Sequence, residues 1–423
     1  MGRQGDKNLK APLYKAVLLL NKKDKVRFHM PGHGGCGSGL FASAKYDLTE
    51  LFGLDNLHAP SAVIAQAEEL LARAYGCDRA YIFTCGATAC MHAALAYART
   101  RGDILFTGDM HYSFYSGLEL MGIKAEYVPK KELEERLARG AGSLFFTSPD
   151  YLGRLNGGEE IAAACRRHNV LGVADSAHGA HFAFSRLLPR SLTHTADITV
   201  VSMHKTMDVY GGGALLCANG RHADSLAAYR SLVHTTSPSY LTMASIDFAR
   251  AVWERDGEEF YKDIAKKTSA LSLPDGYTAV RTDDISRLVI NCAGDAYDAA
   301  KKLARQGIYC EAAIGENLVF IVTPHNADKL CVLSKALESI TPAPLKKAPE
   351  LNLKKSGKTC GEALLLPVEE CAGKIAGADI CLYPPGVPVI YRGDILDKNA
   401  VQFIKDFECR LSPLAYGRVI VLK

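Results

Sequence analysis

Lys205 closes the run Val201-Ser202-Met203-His204-Lys205, directly after an apolar stretch that reads as a buried strand. Burying an ammonium is costly unless it is paired or chemically converted. A Schiff base converts it, sharing the charge with a bound aldehyde. A lysine just clearing the core toward solvent is the ordinary alternative. Asp175 ends a second apolar run, in Val-Ala-Asp-Ser-Ala-His, where a carboxylate would be partly buried and would need a cation or hydrogen-bond donors. A protonated pyridine nitrogen is such a cation, and the pairing keeps an aromatic ring able to accept electrons. Capping the next turn is the plainer use. Three residues on, His178 could donate to a phenolic oxygen on that ring, or satisfy itself within its loop.

Two further clusters complete the set. Thr84-Cys85-Gly86-Ala87-Thr88 runs from a strand end through a glycine into a helical pattern. Free amides at a helix start favour a phosphate by hydrogen bonding and by the helix dipole, so Gly86, Ala87 and Thr88 are candidate phosphate ligands. His111, just past the Asp-Ile-Leu-Phe-Thr-Gly strand, could stack a flat imidazole on the ring or sit solvated in a loop. A phosphate loop, a strand-end His, an Asp-x-x-His and a Ser-x-His-Lys, in that order, suit pyridoxal 5′-phosphate.

The elements needed to hold these residues are legible as an alternation. Val63, Ile64, Ala67, Leu70, Leu71 and Ala74 recur at helical spacing after Pro60-Ser61, a helix start. Residues 80–84 then read as a short buried strand and 87–98 as a helix, and the pattern repeats through residue 218. Short apolar strands alternating with helices call for a mostly parallel sheet covered on both faces. Ligands in such sheets bind beyond the carboxyl ends of the strands, where each cluster above falls. The expected organisation is an N-terminal arm (1–60), a major α/β domain (61–270) and a smaller α+β domain (271–423), with a Pro- and Lys-rich linker at about 340–358.

Composition narrows the function. With 423 residues, 48% hydrophobic and 23% charged, the chain reads as an ordinary globular enzyme. A net charge of +4 from scattered residues argues against nucleic-acid or membrane partners. The first apolar run, 16–20, is too short for an export signal or a membrane span, so a cytoplasmic protein is expected. The 13 cysteines show no C-x-x-C pair or zinc spacing and are expected to be reduced, with no metal site.

The chain resembles the bacterial ornithine/lysine/arginine decarboxylases of fold type I, in the short form without an N-terminal wing domain. The likeness is carried along nearly the whole sequence by MPGHGG, DLTELFGLDNLHAP, TCGAT, HYSF, TSPDYLG, DSAHGAHF, SMHKT, TTSPSY and YPPGVP. It implies an aspartate-aminotransferase-like major domain, pyridoxal 5′-phosphate, and removal of the α-carboxylate from a basic amino acid. By the same resemblance Lys205 bears the cofactor, Asp175 pairs with its ring nitrogen, and His111 stacks on the ring. His178 would contact the phenolic oxygen, Ser202 and His204 would hold the phosphate, and Thr236 and Ser237 would reach the phosphate of a second subunit in a homodimer. Lys205 or His204 would return a proton to the product.

Three departures from the family pattern bear on the substrate: Ala87 in place of a larger polar residue, Tyr112-Ser113 after His111 in place of Lys-Ser, and Arg392-Gly393-Asp394 in place of Pro-Gly-Glu. Asp394 is the expected anchor for a distal amine. Arg392 could instead hold a carboxylate, as in an aminotransferase, so transamination or retro-aldol chemistry on the same scaffold stays open. A non-catalytic homologue is the further alternative, against which the intact Asp175/Lys205 pair argues. His33, Glu50 and His58 have no assigned role.

Overall fold

Seven strands build the central sheet: β1 (Arg79–Phe83), β2 (Ile104–Thr107), β3 (Ala125–Tyr127), β4 (Ser143–Thr147), β5 (Leu171–Asp175), β6 (Ile198–Val201) and β7 (Ala214–Ala218). In this computed structural model the described residues are 9–423, except 23–26, 28–29, 32, 34, 37, 346–350, 359–360, 384–385 and 415. The strand order is β1-β7-β6-β5-β4-β2-β3. β3, β2, β4, β5 and β6 are parallel, and only β7 runs antiparallel to both neighbours. Every residue of β5, β6 and β7 is buried, as expected of strands covered on both faces.

The covering helices are α1 (Pro12–Lys22), α2 (Val63–Tyr75), α3 (Gly86–Ala98), α4 (Tyr112–Met121), α5 (Leu133–Ala138), α6 (Gly158–Arg167), α7 (Leu226–Val233) and α8 (Tyr240–Ser269). α3 is fully enclosed on its Ala89, Ala93, Ala94 and Ala98 side, and these small side chains let it lie close on β6 and β7. The periodicity read for 63–74 and 87–98 is present as α2 and α3.

The N-terminal segment departs from an extended arm. Its α1 buries Leu13 and Val17 in the main core. The cap comes from a distant residue: Asp247 on α8 accepts from the Leu13 and Tyr14 amides at 3.0 and 3.3 Å. No local sequence signal announces a helix capped in this way.

Beyond α8 the chain forms two units. An antiparallel sheet of order β10-β11-β9-β8 joins β8 (Thr278–Val280), β9 (Arg287–Asn291), β10 (Ala312–Ile314) and β11 (Asn317–Ile321), with α9 (Ala296–Arg305) and α10 (Leu330–Leu337). Its Leu288, Ile290 and Leu318 belong to the same core as α2 and α8. The last unit has its own core around Ile390, Leu396, Phe403 and Val421. It contains β12 (Ala363–Pro367), β13 (Ile375–Ala376), β14 (Ile380–Leu382), β15 (Val387–Ile390), α11 (Lys398–Phe407), β16 (Leu411–Ser412) and β17 (Arg418–Leu422). Of the expected linker, 346–350 lie outside the described residues. Its later part is tied down, because Lys355 bridges to Asp394.

Candidate active site

A cavity of about 490 Å³ opens at the carboxyl ends of β4, β5 and β6. It brings together Gly86, Ala87, Thr88, His111, Asp175, His178, Ser202, His204 and Lys205, residues from four separate stretches of sequence.

Parallel pairing aligns Thr147, Asp175 and Val200 across the three strand ends, so Asp175 emerges at the cavity floor. It is 5% exposed. One carboxylate oxygen accepts from the Ala177 amide at 3.1 Å. The other has no hydrogen bond, and no cation lies within ion-pair distance among the described residues. A buried carboxylate with a free oxygen fits a protonated ring nitrogen, which would supply the missing partner.

The phosphate end is built from backbone. Gly86 has φ +79°, which an L side chain rarely adopts, and its amide donates to the Gly212 carbonyl at 2.8 Å. Gly212 is constrained from the other side: a Cβ there would lie 2.6 Å from the Thr84 carbonyl oxygen. α3 starts without a side-chain cap, so its next amides are free for an anion. Ser202 is fully buried beside His204, whose Nδ1–H donates to the Gly213 carbonyl at 3.0 Å.

His111 caps α4. Its Nδ1 accepts from the Ser113 amide at 3.1 Å, leaving the proton on Nε2. The C-terminal unit packs against it: the Tyr112 amide donates to the Gly386 carbonyl at 2.9 Å. At Gly386, with φ +85°, a Cβ would lie 2.7 Å from the Tyr383 ring and 3.2 Å from His111 Nε2. Burial holds His111 below the usual histidine range.

Lys205 Nζ lies 3.1 Å from His178 Nε2. Burial lowers the lysine's pKa, and Arg287 adds to the effect against Asp175 and Glu311. Burial, then the charges of Lys205 and Arg287, hold His178 well below its usual range.

Four expected residues lie outside the cavity. Thr236 and Ser237 are exposed in the loop between α7 and α8. Arg392 pairs with Glu119 on α4, and its amide donates to Asp379. Asp394 is buried, with Lys355 Nζ 2.6 Å from one oxygen and the Tyr391 amide on the other. This pairing ties Asp394 into the C-terminal unit and leaves it outside the cavity lining, away from the place expected of a substrate anchor. Arg392, turned onto Glu119, is likewise not available in the cavity to hold a carboxylate. Of the unassigned residues, His58 ties the arm to the 235 loop by accepting or donating at Ser231 and donating to the Thr235 carbonyl. His33 pairs with Asp47, and Glu50 accepts from the Thr49 hydroxyl.

The structure adds residues that the sequence did not single out. Asp109, Asp150, Tyr151 and Tyr383 line the cavity. Tyr151 donates to Glu311 at 2.6 Å. Arg287, 2% exposed at the start of β9, donates to His178 Nδ1 at 3.3 Å. Its only local signal was a cation opening a buried strand. Among the described residues no group of three His, Cys, Asp or Glu is arranged to hold a metal ion, and no helix is long and apolar enough to cross a membrane.

The sheet order and the strand-end cavity define an aspartate-aminotransferase-like, fold type I α/β protein. The solved lysine decarboxylase of Francisella novicida superposes with a TM-score of 0.76 at 16% identity, covering 98% of this chain and 82% of that one. The constitutive lysine decarboxylase of E. coli gives 0.75 at 17% identity, covering 99% and 82%. In sequence, the profile for the Orn/Lys/Arg decarboxylase major domain matches residues 11–134 and 107–272. The uncharacterised protein YaaO of Bacillus subtilis is 30% identical over 93% of each chain. An arginine decarboxylase of the same organism is 25% identical over 93% of this chain and 92% of its own length. The chain belongs to the Orn/Lys/Arg decarboxylase family and is an amino-acid decarboxylase.

Proposed function

We propose that the chain removes the α-carboxylate of a basic amino acid as carbon dioxide, with pyridoxal 5′-phosphate in the strand-end cavity. The observation that carries this reading is the pairing, in one cavity, of a buried lysine amine with a buried carboxylate that has a free oxygen. When bound, the cofactor supplies a conjugated ring that accepts the electron pair left as the carboxylate departs. Lys205 is the amine that carries it. Asp175 holds the proton on the ring nitrogen, and His111 covers a ring face. The amides of Ala87 and Thr88, with Ser202 and His204, hold the phosphate, and His178 donates to the phenolic oxygen. Lys205 or His204 returns the proton to the substrate carbon. Thr236 and Ser237, exposed and away from their own cavity, complete the phosphate site of a second copy in a homodimer.

A basic substrate needs an anion for its distal cation. Asp150 is already satisfied by Arg154, Asn156 and two amides. Asp109 lines the cavity with a carboxylate that has no hydrogen bond or ion pair among the described residues, and we assign the anchor to it. The test is a panel of lysine, arginine, ornithine and leucine, scored for carbon dioxide and amine. At least one basic amino acid is expected to react and leucine is not. Asp109→Asn should raise KM for that substrate ~tenfold, or about 1.4 kcal/mol, with kcat little changed. Preference for leucine would refute the basic-substrate reading, and an unchanged KM would release Asp109.

A further inference from the structure

Arg287 touches neither end of the expected chemistry, yet it is almost wholly buried. Its Nη2 donates to His178 Nδ1, while its Nε and Nη1 have no hydrogen-bond partner. No carboxylate lies within 4 Å of it among the described residues. A guanidinium can only donate, so His178 Nδ1 must accept. A neutral imidazole has one N–H, which therefore sits on Nε2, the atom 3.1 Å from Lys205 Nζ. Were Nε2 to accept as well, the ring would have to be an imidazolate. Were both nitrogens protonated, a buried imidazolium would stand between two cations. The remaining arrangement has Nε2–H donating to Nζ, which requires a lone pair on the lysine nitrogen.

We propose that Arg287 is a positioning residue that fixes His178 as its Nε2–H tautomer and thereby holds Lys205 as a neutral amine. This rests on the cofactor reading above and assigns the control of Lys205 within it. A neutral Nζ attacks an aldehyde carbon directly. The C=N bond forms, and the carbonyl oxygen leaves as water with the two amine protons. With the cofactor bound, the same Nε2–H would be available to its phenolic oxygen.

The surrounding charges are consistent with this. Asp175 and Glu311 favour the ammonium form of Lys205, while burial and Arg287 oppose it. His178 faces Lys205, Arg287, His111 and His181, all of which disfavour its protonation, and the edge of the Tyr151 ring. Behind the guanidinium, Asp284 is held below the usual carboxylate range by His181 and Arg287, although burial opposes it. That charge offsets Arg287 without engaging it.

The sign of the effect follows. Removing the guanidinium removes a cation near Nζ and frees His178 to flip, so that Nε2 can accept from an ammonium. Both changes raise the lysine's pKa and shrink the neutral fraction near neutrality. The test mixes cofactor-free protein with pyridoxal 5′-phosphate across a range of pH and follows the visible absorbance of the adduct. Wild-type capture should speed up as pH rises and level off below the ordinary lysine range. In Arg287→Met the midpoint should move up by at least ~1 pH unit, with capture about tenfold slower at neutral pH, and Arg287→Lys should recover part of the shift. An unmoved midpoint in Arg287→Met would overturn the proposal. Absence of any adduct in the wild type would instead overturn the cofactor reading. A second measurement needs only the wild-type fold: nitrogen NMR of labelled histidine, with His178 assigned by difference from His178→Gln. A proton on Nε2 is expected, and a proton on Nδ1 would refute the lock.

Discussion

Asp175 and Lys205 follow adjacent strands, and what distinguishes Asp175 is the bond it lacks. Asp175 keeps one oxygen free in a setting where a carboxylate without a partner is costly, so the strand end is formed for a cation that the chain does not supply. Asp175→Asn preserves the shape and the acceptor for Ala177 but cannot hold a proton on a ring nitrogen by charge. The variant is expected to retain the cofactor, because the phosphate contacts and Lys205 are untouched. Its kcat should fall at least ~100-fold, about 2.7 kcal/mol of lost transition-state stabilisation. Titration with pyridoxal 5′-phosphate and steady-state kinetics check the two halves separately. Near-normal turnover would remove Asp175 from the role.

At the scale of elements, the phosphate end depends on two backbones passing at contact distance. Gly212 sits at φ +88°, against the Thr84 carbonyl, where a methyl group would intrude at 2.6 Å. Gly212→Ala should push the loop before β7 away from the start of α3 and break the Gly86–Gly212 bond. Affinity for the cofactor should drop ~tenfold or more, with the fold kept, as read by equilibrium dialysis and circular dichroism. Unchanged affinity would show that the loop tolerates the shift. The alternation of apolar runs and helical spacing was enough to locate α2, α3, β5 and β6, and with them the strand-end residues, because periodicity and burial are local properties. Arg287 was not legible, since its burial follows from meeting His178 across 109 residues. The ion pair of Asp394 was hidden for the same reason. Its partner Lys355 lies in a stretch whose Lys-rich composition reads as solvated, and only the folded C-terminal unit brings the two together. The cap on α1 likewise comes from Asp247, on a helix more than 200 residues away.

Across the whole molecule, histidine is the residue that couples burial to pH. His92, His111, His178, His222 and His234 are all held below the usual histidine range, in every case chiefly by burial. They are spread from α3 through the cavity to the loop after α7, so their effect belongs to the fold rather than to one site. In the unfolded chain each takes up a proton near its ordinary pKa of about 6.5, while in the folded chain each takes it up only at lower pH. The unfolded state therefore binds more protons as pH falls, and stability is lost in that direction. The window lies between about pH 7.5 and about pH 6, where a fully suppressed histidine contributes ~0.8 kcal/mol. Glu68, Asp247 and Asp379 have pKa values raised by burial, and they oppose the trend once the pH is low enough for them to protonate. For that reason the comparison should stop near pH 6. The urea midpoint of the cofactor-free chain is expected to fall between these two conditions, and the drop should shrink in His178→Phe, which lacks one suppressed group. Midpoints are the appropriate measure here, because a chain with separately cored units need not unfold in one step. A midpoint that holds steady or rises toward pH 6 would mean that these histidines titrate in the folded chain much as they do in the unfolded one, and that their burial exerts no control over stability.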